Sequence, residues 1–341
     1  MQFEHRARIP RAASGILIRS LLVVLTLSTA SPAWARIKAC TSSKTCRDDL
    51  TLSTGGSIPY YRSLPFVRND SVRRVVLVVH GNQRDADRYY DRAVSAALAD
   101  IGFRDLLLLA PNFRTFADHP AAHEHYWSSH GWKIGNKSLD PTRISSFAVV
   151  NELLARVCSV EPAIFPNLQT IVIAGHSAGG QFVNRYAAGG ADCLNKAVEV
   201  RYVVMNPSSY LYVDGRRRSV ATGDFAPVTN GCLTYDDYKY GLRNLNSYMG
   251  KVGAKRLRSQ LFRRRTYYLA GQDDTRMGGS LDRRCEADLQ GRNRLARFAN
   301  YRDYSSLFED WTAAEFIVVP GIGHDGGRML GSKIARRIMF H

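Results

Sequence analysis

Short runs of Val, Ile and Leu alternate with longer helical patterns along most of this 341-residue chain. Runs in which nearly every residue is apolar are typical of strands that are buried on both faces. Helices between such strands force parallel pairing through right-handed crossovers. The predicted strands are 72–79, 106–110, 170–174, 198–205, 266–270 and 315–319, and the predicted helices are 87–99, 146–160, 177–188 and 331–339. The sequence therefore predicts an α/β fold with a doubly wound, mostly parallel sheet.

Two long segments interrupt this alternation, at about residues 111–140 and 206–265. Each leaves from the carboxyl end of a predicted strand, which is the edge where open α/β sheets bind their ligands. We therefore expect one domain over residues 36–341, with the two insertions forming a lid or a pocket cover.

Both insertions are rich in aromatic residues. Aromatic side chains above a sheet edge favour an apolar pocket with a few phenolic hydrogen-bond donors. The candidate substrate-binding rings are Trp127, Trp132 and Tyr210. The alternative interpretation is that such rings only pack the insertions onto the sheet.

The first 35 residues have the pattern of a cleavable export signal. Four arginines precede an apolar run at residues 21–27, and small residues stand at the two positions that a signal peptidase reads before a cut after Ala35. The apolar run is too short to span a bilayer of about 30 Å, so we expect no stable membrane anchor. The sequence thus predicts a signal peptide at residues 1–35 and a secreted or periplasmic protein.

The chain has six cysteines, an even number, and none of them has the spacing of a zinc site. In the oxidising compartment that export implies, they predict up to three disulfides. Cys40 and Cys46 are the first expected pair, a small staple near the start of the mature chain. Cys158 lies in an apolar helical pattern, so its alternative is a buried free thiol.

The composition is strongly basic, because 47 Lys and Arg residues outnumber 30 Asp and Glu residues and give a formal net charge of +17. Removing residues 1–35 takes away four Arg and one Glu and leaves +14. Basic runs at 216–218 and 263–265 are candidates for nucleic-acid contact. No nucleic-acid-binding motif accompanies them, so we interpret them as solvated surface and expect no nucleic-acid partner.

A cluster of imidazoles is the only candidate metal site in the sequence. Its members are His119, His123, His125 and His130, with Glu124 among them. Imidazoles at this density can bind zinc or copper. The H-E-x-x-H spacing is missing and the segment has the pattern of a loop, so we expect no metal and no cofactor.

The strand predicted at 170–174 runs directly into a G-H-S-A-G sequence at 175–179, and a helical pattern follows. A bare G-x-S-x-G arises by chance in many proteins, but in a strand–turn–helix context it is the signature of a nucleophile elbow. Side chains in place of the two glycines would collide with neighbouring backbone. Ser177 is therefore the candidate nucleophile, and the amide of Ala178, at a helix amino terminus, is a candidate oxyanion donor.

A serine hydroxyl becomes nucleophilic when a base takes its proton and a third group orients that base. His324 stands between glycines after the predicted strand 315–319 and is the candidate base. The preceding strand, 266–270, is followed by a glycine and two aspartates. We prefer Asp274 over Asp273 as the acid, and the one not used is expected to cap a turn or a helix.

A second oxyanion donor is expected in the loop after the predicted strand 72–79. Gly81 lets the backbone bend there, so that the amide of Asn82 faces the serine and completes the hole with Ala178. His80 is interpreted as a scaffold residue whose ring hydrogen-bonds across the loop.

These motifs, in the order Ser, Asp, His, resemble those of the α/β-hydrolase superfamily. More narrowly, HGNQRDADRYY, YDDYKYGL and CEADLQGRNR are similar to segments of uncharacterised secreted bacterial hydrolases near the polyhydroxybutyrate depolymerase and feruloyl esterase-like groups. The resemblance implies the fold and the triad of Ser177, Asp274 and His324. In that setting Cys232 and Cys285 lie in segments that flank the acid loop, which implies that they pair.

The predicted function is that of an exported serine hydrolase that cleaves a carboxylic ester through an acyl-enzyme intermediate. The expected partner is a small or oligomeric ester substrate. One alternative is a peptidase or amidase that uses the same triad. Another is a catalytically silent binding protein on a hydrolase scaffold, although a silent scaffold has no need to keep all three residues.

Overall fold

An eight-stranded sheet forms the centre of the computed structural model, which describes residues 37–229 and 231–341. The strands are β1 (Arg47–Thr51), β2 (Ser57–Arg62), β3 (Arg74–Val79), β4 (Leu106–Pro111), β5 (Thr170–His176), β6 (Glu199–Met205), β7 (Arg216–Arg218), β8 (Phe225–Pro227), β9 (Thr266–Gly271) and β10 (Ala314–Val319). The order in the sheet is β1-β2-β4-β3-β5-β6-β9-β10, and β7 pairs with β8 in a separate hairpin. The strands from β4 to β10 in this order are parallel. The predicted fold class is confirmed.

All six predicted strands are present, and their ends agree with the prediction to within two residues. Two strands of this sheet were not predicted, β1 and β2, and they form its antiparallel edge. The β7–β8 hairpin was not predicted either. Asp48 and Asp49 break the apolar pattern of β1, and Pro59 interrupts β2. β1 is the edge strand, so one of its sides needs no partner strand, and in β2 Pro59 lies before residues 60–62, which pair with β4. The predicted signal peptide, residues 1–35, lies outside the described residues.

Helices cover both faces of the sheet. They are α1 (Ser43–Cys46), α2 (Ala86–Leu98), α3 (Ser146–Val157), α4 (Ala178–Gly189), α5 (Ser247–Val252), α6 (Ala254–Arg263), α7 (Cys285–Asp288), α8 (Arg294–Ser305), α9 (Gly326–Leu330) and α10 (Lys333–Phe340). Val76 and Val78 of β3 share an apolar core with α2, α9 and α10, whereas Val75 and Leu77 share a second core with α3, α4 and α8. This alternation follows from the two-residue period of a strand. Among the residues described, no helix has the length and apolar character needed to cross a bilayer.

The two predicted insertions differ in how they are built. The segment between β4 and α3 contains two short 3-10 turns, Phe116–Asp118 and Gly131–Ile134. The segment after β6 contains the β7–β8 hairpin, but its last part is α6, which contacts α4 and so belongs to the helical layer rather than to a cover. A third segment, residues 272–313 between β9 and β10, carries α7 and α8. It was not predicted as an insertion, because arginines and tyrosines mask the apolar face of α8.

Three disulfides cross-link the described residues: Cys40–Cys46, Cys158–Cys193 and Cys232–Cys285. Both expected pairs are present, and the alternative of a free thiol at Cys158 is wrong. The bond between Cys232 and Cys285 joins the second insertion to the segment between β9 and β10. Three disulfides fit an oxidising compartment.

Candidate active site

The candidate nucleophile elbow lies between β5 and α4, where the parallel strands end. Ser177 has φ 59° and ψ −114°, a backbone conformation that non-glycine residues rarely adopt and that persists only where neighbours enforce it. A Cβ at Gly179 would collide with the carbonyl oxygen of Val79, and a Cβ at Gly175 would collide with the backbone of Gly179. Both glycines are therefore required by close backbone approach, and they hold the elbow against the end of β3.

The three candidate triad residues come together at this edge of the sheet. His324 Nε2 lies 2.9 Å from Ser177 Oγ, and His324 Nδ1 lies 2.8 Å from Asp274 Oδ2. An ionised carboxylate can only accept, so Nδ1 carries the proton and Nε2 is left to accept from the serine hydroxyl. Asp273 does not join them, because its side chain is exposed to solvent.

Asp274 is held by more than the histidine. Its side chain is buried, Asn206 Nδ2 donates to the same Oδ2, and Arg294 Nη1 lies 3.7 Å from Oδ1. Burial by itself raises the pKa of Asp274, but the hydrogen bond from His324 opposes it. The contributions of Asn206 and Arg294 add to that hydrogen bond, and together they bring the pKa of Asp274 below the usual value. The carboxylate is therefore kept ionised beside the imidazole.

Sequence reasoning missed both Asn206 and Arg294. Asn206 directly follows β6 at φ 46°, and asparagine tolerates this left-handed conformation better than most residues. Its position one residue beyond a parallel strand was a usable signal, because the ends of parallel strands meet at one edge. Arg294 starts α8 and offers no local signal, since its contact with Asp274 depends on how that segment folds back.

Two other histidines are buried around the triad. His80 Nδ1 donates to the carbonyl of Gly81 at 2.9 Å, and its Nε2 accepts from the amide of Phe113 at 3.0 Å. Burial lowers the pKa of His80 to about 4, so the ring stays neutral at physiological pH. These bonds agree with the scaffold role expected for His80. The ring of His176 lies 4.7 Å from that of His324, and its Nδ1 is 3.1 Å from the hydroxyl of Tyr89.

The two candidate oxyanion amides belong to neighbouring loops. Ala178 is the first residue of α4, and the turn after β3 that carries Asn82 contacts the elbow at Gly179. Lys133 Nζ donates to Asn82 Oδ1 at 2.6 Å, and Arg84 donates to the Asn82 carbonyl at 2.8 Å. These contacts hold the Asn82 turn, while the oxyanion role of the two amides stays a prediction.

The three aromatic residues proposed to contact substrate are core residues instead. Trp127, Trp132 and Tyr210 are 0%, 0% and 1% exposed. Trp132 packs 4.5 Å from the ring of His80, and Tyr210 stacks 4.4 Å from Tyr301. Burying a large ring removes a large apolar area from water, which stabilises the packing of the insertions against the sheet. Their predicted role in substrate binding is therefore withdrawn.

His125 of the histidine cluster and Arg217 of the basic run 216–218 are also built into the fold, whereas His119, His123 and His130 are exposed. His125 is buried, with Nδ1 2.9 Å from Asp140 Oδ2 and Nε2 2.8 Å from the carbonyl of Gly55. In the basic run 216–218, Arg217 is 2% exposed and its guanidinium lies 4.1 Å from the ring centre of Tyr212. These groups have structural partners of their own.

No protein-family model and no curated protein sequence matches this chain. Solved structures do resemble it. Poly(aspartic acid) hydrolase-1 from Sphingomonas sp. KT-1 has a TM-score of 0.60 and 23% sequence identity, with 86% of this chain and 98% of that chain covered. The poly(3-hydroxybutyrate) depolymerase LpqC from Bordetella parapertussis has a TM-score of 0.58 and 22% identity, with 86% and 90% covered. The chain therefore has the α/β-hydrolase fold.

Proposed function

We propose that this protein is an exported serine hydrolase that cleaves a carboxylic ester. The observation that carries the proposal is the relay from the Ser177 hydroxyl through both ring nitrogens of His324 to Asp274, at 2.9 and 2.8 Å. A serine paired with an oriented base in this way is an activated nucleophile. The three residues come from loops after three different strands, so the arrangement depends on the fold rather than on any local sequence.

The proposed reaction has two halves. Ser177 Oγ attacks the ester carbonyl while His324 Nε2 takes its proton, and the amides of Asn82 and Ala178 receive the developing negative charge. The protonated imidazole then gives that proton to the leaving alkoxide, which departs as the alcohol and leaves an acyl-serine. Water repeats the sequence in the second half, releases the carboxylic acid and restores the hydroxyl. Asp274 holds the ring orientation and stabilises the imidazolium throughout.

We favour ester cleavage over amide cleavage because the sequence resembles those of the depolymerase and feruloyl esterase-like groups. Amide cleavage is the second candidate, since one of the structures that this chain resembles is a hydrolase of poly(aspartic acid), a polymer joined by amide bonds. The same triad serves both reactions, and the leaving group is chosen by the pocket around it. Export is supported by the three disulfides and by the predicted signal peptide.

The test is covalent labelling of the active serine. The mature protein should react with a fluorophosphonate probe, and Ser177→Ala should abolish the labelling. Ser95→Ala is the matched control, because Ser95 is an exposed serine on α2 and the variant should label like the wild type. Turnover of 4-nitrophenyl acyl esters against aminoacyl 4-nitroanilides then separates an esterase from an amidase.

Two results would decide against the proposal. A folded wild-type protein that does not label would be a silent binding protein. A protein that labels at Ser177 but turns over anilides at least as fast as esters would be an amidase.

A further inference from the structure

A buried ammonium group lies beside the turn that carries Asn82. Lys133 belongs to the 3-10 turn Gly131–Ile134 of the first insertion and is 8% exposed. Its Nζ donates to Asn82 Oδ1 at 2.6 Å, and none of the salt bridges within 4.0 Å in the described part of the chain involves Lys133. A buried charge without a counter-charge is costly, so such a group is held for an anion that arrives from outside or for an orienting role.

The carboxylates near Lys133 already bind other cationic side chains. Asp282 lies 2.9 Å from Lys239 Nζ, and Arg284 binds it through two nitrogens at 3.1 and 3.0 Å. Asp118 is bound by Arg84 in the same bidentate way. Neither acid forms a salt bridge with Lys133, and although the charge of Asp282 raises the pKa of Lys133, burial outweighs it.

Several cations share the space next to the elbow. Lys239 Nζ lies 3.1 Å from Gln181 Oε1, in the first turn of α4 after Ser177. Partial burial lowers the pKa of the exposed His130, and the charges of Lys133 and Lys239 lower it further. The charge of Asp282 opposes this effect, so His130, Lys133, Lys239 and Asp282 lie close enough for their charges to interact.

We infer that Lys133 is an anion subsite beside the Asn82 turn, and that the preferred substrates are esters that carry a carboxylate. This inference rests on the proposed function and specifies its substrate class. Lys133 donates a charge-assisted hydrogen bond to the substrate carboxylate while the ester carbonyl occupies the oxyanion position. Burial favours this pairing, because a charge-assisted bond is stronger where water is excluded.

The test compares matched esters that differ in the charge of one carboxyl group, which is free in one member and methylated in the other. The acyl-side pair is mono-4-nitrophenyl glutarate and its methyl-capped diester, and the alcohol-side pair is 3-acetoxybutyrate and its methyl ester. The wild type should prefer the carboxylate member of at least one pair by about tenfold or more in kcat/KM, in keeping with a hydrogen bond to a charged group. This preference should shrink as salt is added.

Lys133→Met keeps the length of the side chain and removes the charge. It should lower kcat/KM for the preferred carboxylate ester at least about tenfold more than kcat/KM for the neutral ester, because any loosening of the Asn82 turn affects both esters alike. Lys255→Met is the control, because it removes the same charge from the exposed surface of α6 and should keep the preference. Should Lys133→Met fold poorly, the salt dependence of the wild-type preference still tests the inference.

Three outcomes would overturn the inference. Turnover of both pairs without preference for the carboxylate would remove the anion subsite and leave the serine hydrolase intact. An equal loss on charged and neutral esters in Lys133→Met would make Lys133 a positioning residue for Asn82. Absence of both turnover and fluorophosphonate labelling would refute the proposed function, and this inference with it.

Discussion

Asp273 and Asp274 are adjacent in the chain but differ in what the proposed chemistry needs. Asp274 is 1% exposed, and its Oδ2 lies 2.8 Å from His324 Nδ1. Asp273 is exposed, and it contributes its backbone amide to the carbonyl of Ile322 at 2.9 Å. Replacing each aspartate with asparagine therefore gives two variants of nearly the same shape, one that changes the contact with His324 and one that leaves it intact.

Asp274→Asn should lower kcat by at least about a hundredfold, because an amide favours the wrong imidazole tautomer and no longer balances the imidazolium. Asp273→Asn should keep most of the wild-type rate. Steady-state kinetics on a 4-nitrophenyl ester, with circular dichroism to check folding, measures both. The acid would be misassigned if the Asp273 variant lost turnover while the Asp274 variant kept it.

The charge on Lys133 gives a pH prediction. Burial lowers the pKa of Lys133 to about 8, so the ammonium is present at neutral pH and is lost as the pH rises through that value. The preference for a carboxylate ester over its neutral partner should therefore be full near pH 6.5 and fall by pH 9.5. The charged and titratable groups that face this region are Arg84, His130, Lys239, Asp282 and Arg284.

The measurement is the ratio of the two kcat/KM values across that pH range. Lys133→Met should show a ratio that is low and does not fall around pH 8. Burial also lowers the pKa of Lys239, so a fall that persists in the Lys133 variant would assign the transition to Lys239. A wild-type ratio that stays constant to pH 9.5 would contradict the assignment.

The sequence could predict the site residues that stand in local motifs, but not the residues whose role depends on the folded chain. Ser177 and His324 stand in short motifs whose glycines mark the turns, so both could be placed from local sequence. The burial of Trp127 and Trp132 could not, because an aromatic residue in an insertion looks the same whether it faces a pocket or the sheet. The role of Arg294 could not be predicted either, since only the folded segment between β9 and β10 brings Arg294 to Asp274.

At the scale of elements, the contact between β3 and the start of α4 is the tightest constraint on the elbow. The first turn of α4 approaches the carbonyl oxygens of Val79 and His80 so closely that only glycine fits at 179. Gly250, in α5, is also helical, but a methyl group at that position would lie 4.0 Å from its nearest neighbour, the Cβ of Leu245. Both glycines are therefore helical, but only Gly250 has room around it for a methyl group.

Gly179→Ala should destabilise the protein by at least about 2 kcal/mol, because overpacking against backbone costs about 1–3 kcal/mol and the backbone here cannot move without shifting Ser177. Gly250→Ala should instead stabilise by about 0.5–1 kcal/mol, since alanine is the better helix former. Urea unfolding of both variants measures the difference. Equal effects would mean that the elbow is looser than its geometry implies.

The six parallel strands could be placed closely from sequence, whereas the antiparallel strands and the covering segments could not. A parallel strand buried on both faces leaves a continuous apolar run, which fixes its position to within two residues. The segment between β9 and β10 follows no such period, because polar contacts hold it: Arg297 donates to the carbonyls of Gly291 and Ser208. Side chains that bond to distant backbone have no periodic signature.

At the scale of the whole molecule, the disulfides close loops of very different length. Cys40 and Cys46 are separated by 6 residues, whereas Cys232 and Cys285 are separated by 53. Cross-linking stabilises a protein mainly by restricting its unfolded chain, and the effect grows with the length of the closed loop. The long loop should therefore contribute more to stability than the short one.

Replacing both Cys232 and Cys285 with alanine should lower the free energy of unfolding by about 4 kcal/mol, against about 2 kcal/mol for the Cys40 and Cys46 pair. Guanidinium unfolding without reductant gives both values. The wild type, measured with dithiothreitol present, should lose more than either variant alone. A larger loss from the short loop would show that native packing, and not chain restriction, sets the contribution.

The bond between Cys232 and Cys285 also bears on how the protein must be produced. In the reducing cytosol of an expression host the bond would not form, and the segment carrying Asp282 and Arg284 would lose its covalent tie to the second insertion. Material from a cytosolic and from a periplasmic preparation should then differ in specific activity despite identical sequence. Reoxidation of the cytosolic material should raise its specific activity to that of the periplasmic material. The specific activity measured for this protein should therefore depend on the compartment in which the chain folded.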